Sequence, residues 1–229
     1  MCFSATASFG VSGVLIPVGI YCVQKAIDLK KPYWAIALLP LVFGIQQAFE
    51  GLVWLDIGPE GGGTTRFAAL GYMFFSHVFW LIWIPFSCYV LESNSTKRKL
   101  FFVLIFIGAT HGLLMYIPLW YRPDWLTVEL VRHSIDYKAV LFYDEYIPRI
   151  VIRFIYALIV LIPLLFISDR YIRIFGAFIA ASVVIATIYF GYAFISIWCY
   201  FAAVLSTYIL FMLLYISKQN NSKKNCIRD

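Results

Sequence analysis

The chain has 229 residues and a formal net charge of +6; 62% of it is apolar, 19% aromatic and only 13% charged. Soluble domains carry about 25% charged residues, so this balance excludes an ordinary soluble domain and points to a chain embedded in a membrane. The basic residues are spread over connecting segments with no basic–aromatic module, which excludes nucleic-acid recognition.

The first residues, MCFSATASFGVSG, lack the positive region and small-residue cleavage site of a secretory signal. Tyr21 before Cys22 argues against lipoprotein processing. Ser4, Thr6 and Ser8 make this segment small and polar, so it is expected to dip into the bundle. Cys2, with a free amine if Met1 is removed, offers metal donors in principle. No C-x-x-C links the five cysteines, and Cys22, Cys88 and Cys199 fall in apolar runs, where a thiol acts as a small hydrophobe. The final Cys-Ile-Arg-Asp has the wrong tail residues for prenylation.

A spanning helix needs about 20 apolar residues, and seven runs qualify: roughly 9–27, 34–55, 67–91, 100–119, 149–168, 171–190 and 193–216. The expected fold is an all-α polytopic bundle, residues 1–217, with a basic tail over 218–229. Lys25, Lys30, Lys31, Lys97, Arg98, Lys99, Arg170, Arg173 and the tail lysines gather on one side. By the positive-inside rule that side is cytoplasmic and the amino terminus faces out. Trp54, Trp120 and Trp125 suit the outer interfacial belt, and Trp34 the inner one. The long loop 120–148 is then an outer cap, read either as a short hairpin around 126–132 and 137–143 or as an ordered surface loop. The Gly-rich turn 58–63 lacks the Lys-Ser/Thr of a phosphate loop.

Polar groups inside spans are costly and mark function. GIQQAFEGLVW (44–54) sets Gln46, Gln47 and Glu50 on one helix face. The next spans add Ser76 with His77, Thr110 with His111, and Arg153. At 1.5 Å per residue, Glu50 and Arg153 lie about 6–8 Å below the outer interface, His111 about 12 Å and His77 about 15 Å. Gly108 and Gly112 bracket His111 as a GxxxG pair that lets another helix approach closely.

Three readings follow. Glu50, His77 and His111 would form an open shell for a transition metal such as zinc, with Gln46 and Gln47 as supporting donors; a metal-bound water would attack a lipid-like substrate, with Glu50 as ligand or general base. His77 and His111 would alternatively be axial haem ligands. Or Glu50 and Arg153 neutralise each other, and the cluster is architectural or serves a small-solute or proton-coupled carrier without metal. Gln46, Gln47, Ser76 and Arg153 are the ligand-binding candidates, and His133 in the cap is a surface residue or a further ligand.

MCFSATASF, LLPLVFGIQQAFEGLVW and FFSHVFWLIWIPFSCYVLE resemble a family of bacterial membrane proteins of unknown function. The resemblance implies that these three segments form the shared part of the family; the expected location is a bacterial inner membrane. The topology is also similar to that of the alkaline ceramidase-like membrane hydrolases, which use three His, an Asp and a Ser. Two of those His fall in the last span, whereas here that span, AFISIWCYFAAVLSTYILFMLLY, has neither His nor Asp. It also has no Lys for a retinal Schiff base.

Overall fold

Seven helices are long and apolar enough to cross a membrane: α1 (Ala5–Ile27), α2 (Trp34–Asp56), α3 (Thr65–Leu91), α4 (Ser95–Tyr121), α5 (Arg149–Phe166), α6 (Arg170–Tyr189) and α7 (Phe194–Asn220). They are seen in a computed structural model that describes residues 4–29, 32–57, 63–131, 134–141, 143–144 and 146–225. Cys2, Lys30, Lys31, residues 58–62 of the Gly-rich turn, Arg132, His133 and Cys226 lie outside the described residues.

The expected seven-span bundle is therefore present, with boundaries displaced by a few residues. The first helix starts earlier than the apolar run, because the Ser4 side chain accepts from the Ala7 backbone N–H at 3.3 Å and caps it. Ser8 and Ser12 are then buried, so the small polar start does enter the bundle. The last helical segment continues to Asn225, so the basic tail begins as helix.

Proline and glycine set the close contacts. Leu38 separates the short turn Trp34–Ala37 from Leu39–Asp56, where Pro40 occupies the first helical turn. Pro85 has no N–H, so the Leu81 carbonyl one turn earlier loses its usual donor. Gly108 of α4 packs on that carbonyl: a Cβ there would stand 2.1 Å from the Leu81 oxygen. A Cβ on Gly112 would stand 2.5 Å from the His77 oxygen. The small-residue pair thus lets α4 ride on the backbone of α3.

One end of the bundle carries a hairpin, β1 (Leu126–Val131) with β2 (Ser134–Ala139), antiparallel with Leu126 opposite Ala139 and Val131 opposite Ser134. The sequence expectation of a hairpin holds, but the second strand begins three residues early. Ile135, Tyr137 and Ala139 alternate toward the bundle and are buried, and this sets the register.

At the opposite end, Glu92 ties two helix junctions together. It accepts from the backbone N–H of Asn94 (2.8 Å) and of Ser168 (2.7 Å). Burial alone would raise its carboxyl, but these N–H donors hold it below the ordinary carboxylate range. A depressed acid contributes stability above its unfolded value that is lost as pH falls through its folded value. Glu92→Ala is expected to cost about 1–3 kcal/mol near neutral pH and progressively less in acid. Thermal unfolding in detergent across pH checks this; a cost that grows toward acid would contradict it.

Candidate functional site beneath the hairpin

Gln46, Gln47 and Glu50 are buried on α2, facing α3 and α7. Gln47 Nε2 donates to Glu50 Oε2 at 3.0 Å, and the Ser196 hydroxyl of α7 donates to Glu50 Oε1. The Tyr72 hydroxyl adjoins the same carboxyl group and the Cys199 thiol. Trp80 Nε1 donates to Gln46 Oε1 at 2.7 Å. The polar stripe of α2 is therefore bonded inward, to α3 and α7 and within itself.

His77 sits in a π turn, Phe75–Phe79, inside α3. There the Trp80 N–H bonds the Phe75 oxygen, five residues back, instead of the Ser76 oxygen. Tyr156 of α5 supplies the missing donor, its hydroxyl 2.6 Å from the Ser76 oxygen. The extra residue in the turn places the buried Ser76 hydroxyl 3.0 Å from His77 Nδ1. Tyr156→Phe is expected to cost about 1 kcal/mol, because the turn carbonyl loses its partner. Chemical unfolding in detergent measures it, and an unchanged midpoint would mean that the turn holds without Tyr156.

His111 is half-buried on α4, and its Nε2 has no partner among the described residues. Arg153 makes a long contact to the Gly191 oxygen (3.4 Å) and lies over the Phe194 ring at 5.1 Å. Among the described residues it has no carboxylate at ion-pair distance, so the expected Glu50–Arg153 pair does not form. Nor is the expected metal shell assembled: no group of three His, Cys, Asp or Glu among the described residues is placed to hold an ion. The physical reason is that both Glu50 oxygens are engaged by Ser196 and Gln47, while His77 turns to Ser76.

What His77, Ser76 and Arg153 do share is a cavity of about 110 Å³ between β2, α3, α5 and α7. Its wall includes Asp136, Tyr137, Arg149, Tyr156, Trp198 and Cys199, and it does not include Glu50 or His111. Tyr137 stacks on Tyr72 with ring centres 4.7 Å apart, so the hairpin covers both the cavity and the Glu50 cluster. Burial, first, and the neighbouring Glu50 carboxyl keep the Tyr137 phenol well above its ordinary range, so it stays protonated. Asp136 is likewise raised by burial, opposed by Lys138, Arg153 and Arg149 and reinforced by Glu129. Sequence reading did not single out Ser196, Tyr72, Tyr137, Asp136, Tyr156 or Trp198. Aromatic and hydroxyl residues are too common in this chain to stand out, and Asp136 read as loop charge.

Fold and site together define a multi-pass, helical membrane protein with a hairpin-covered polar pocket at one end of the bundle. Residues 1–226 match the family of unknown function DUF6629, and the chain belongs to that family. No curated protein and no solved structure matches it.

Proposed function

We propose that this is a membrane protein that binds a small organic ligand in the cavity beneath the hairpin. The amino terminus and hairpin lie on the outer side of a bacterial inner membrane, and the 218–229 tail lies in the cytoplasm; the basic residues of the opposite end support that orientation. The observation that carries the reading is the cavity wall itself: Arg153, half-buried there, has no carboxylate at ion-pair distance among the described residues and only a long contact to the Gly191 oxygen. Ser76 and His77 border the same space. A half-buried cation without an anion is costly, and a ligand acceptor satisfies it. Ser76, His77 and Arg153 are the binding residues; Glu50, Gln46 and Gln47 brace the helices behind them. A binding or carrier role fits this division better than metal-dependent hydrolysis, which would need Glu50 turned toward both histidines.

Native mass spectrometry of the full chain in mild detergent tests the reading. A small molecule should accompany the wild type and be lost from Ala139→Trp, which fills the cavity from β2 with a residue that strands accept. If both proteins fly at the bare chain mass, or both keep the same adduct, the cavity is not the binding site.

A further inference from the structure

The chemistry of the cavity is asymmetric. Its polar wall is dominated by donors. Arg149 is committed, to Asp144 at 2.9 Å and to the Ala139 oxygen at 3.0 Å. Arg153 is not committed: its guanidinium has only the long Gly191 contact and the Phe194 ring. Tyr137 and Trp198, only 4% and 7% exposed, close the wall beside it with aromatic surface. Asp136 is the single carboxylate of the wall among the described residues.

Behind this chamber lies a smaller one of about 30 Å³, walled mainly by apolar side chains that include Phe43, Ile84, Leu164 and Ile179. Tyr156, Trp198 and Cys199 border both chambers. Tyr156 and Trp198 meet edge to face at 5.3 Å, which makes them a partition between a cationic, donor-rich chamber and an apolar one. An unpaired guanidinium in a half-buried site is best satisfied by a planar or tetrahedral oxyanion. Apolar surface in the rear chamber favours an alkyl group.

We propose that the ligand is a small organic anion, a carboxylate or phosphate head on a short alkyl group, with the head on Arg153 and the alkyl group against Tyr156 and Trp198. This rests on the cavity being the binding site. Asp136, in the same wall, opposes the head and limits affinity.

The test is calorimetric titration of the purified full chain in uncharged detergent. The probes are butanoate and butyl phosphate against butanol, acetate and inorganic phosphate. The butyl anions should bind at least about tenfold more tightly than butanol, since a charge-assisted bond is worth that ratio or more, and several-fold more tightly than the bare anions, since they bury more alkyl surface. Arg153→Gln should remove the preference over butanol, Arg153→Lys should keep part of it, and Asp136→Asn should strengthen anion binding several-fold. Butanol binding as tightly as butanoate, or anion binding indifferent to both Arg153 and Asp136, overturns the proposal. If butanol binds and Ala139→Trp blocks it while the anions gain nothing, the cavity reading survives and the anion reading falls. If none of the probes binds, both fall. Repeating the titration of butyl phosphate with the chain in nanodiscs of phosphatidate or of phosphatidylcholine separates the sources. Competition by phosphatidate alone places the ligand among membrane lipids, its absence places it among free organic anions, and either supports an anionic head.

Discussion

Gly108→Ala should be strongly destabilising. The new Cβ would meet the Leu81 carbonyl carbon at 2.9 Å and its oxygen at 2.1 Å, and backbone cannot swing aside as a long side chain can. Pro85 makes the position worse, because the Leu81 oxygen it leaves without a helical donor is the atom that Gly108 covers. Relief requires α4 to move off α3, and overpacking of this kind costs about 3 kcal/mol. Gly112→Ala should act on the π turn instead, pushing against the His77 oxygen and Val78 Cα and so moving His77 in the cavity wall. Gly10→Ala is the control: nothing lies within 4 Å of its added methyl group, and alanine suits a helix interior better. Reversible unfolding in mixed detergent should therefore rank Gly108→Ala far below Gly10→Ala. Equal stabilities would mean that α3 and α4 do not cross at these glycines.

The glycine pair was legible from sequence because its signal is local: two small residues one turn apart in an otherwise bulky span. The seven spans were legible for the same reason, since length and apolar content are local quantities and the bilayer imposes them. The site was not, because its decisive contacts are distant in sequence. Ser196 reaches Glu50 across 146 positions, and a serine in an apolar helix gives no sign of which carboxyl it serves. The π turn leaves no mark in FFSHVFW, yet it fixes where His77 points and creates the carbonyl that Tyr156 satisfies. Depth along the helices suggested that Glu50, His77, His111 and Arg153 could meet. Depth is one coordinate, and rotation about each helix axis decides the rest: Glu50 turns toward Ser196, Arg153 toward Gly191 and Phe194, and His77 toward Ser76.

Glu50→Ala is the second large effect, and it separates the architectural role of the α2 stripe from the binding role of the cavity. Removing the carboxyl group strands the Ser196 hydroxyl and the Gln47 amide in an interior where Gln47 is wholly buried and Ser196 nearly so. Each orphaned buried polar group costs about 1–3 kcal/mol, so a loss near 3 kcal/mol is expected. Glu50→Gln keeps the shape and one acceptor oxygen and should cost about 1 kcal/mol. Because Ser196 and Glu50 act through one contact, Ser196→Ala on top of Glu50→Ala should add little, and the double-mutant cycle should show strong coupling. Ligand affinity provides the second readout. Glu50 does not line the cavity, so folded Glu50→Gln protein should bind butyl phosphate as the wild type does, while Arg153→Gln should not. If Glu50→Gln keeps full stability but loses binding, the carboxyl group is part of the ligand site, and the brace assigned to it belongs elsewhere. If stability falls and binding holds, the paired glutamines and Glu50 serve to fix α7 against α2, and Tyr72, stacked under Tyr137, carries that rigidity to the hairpin that covers the cavity.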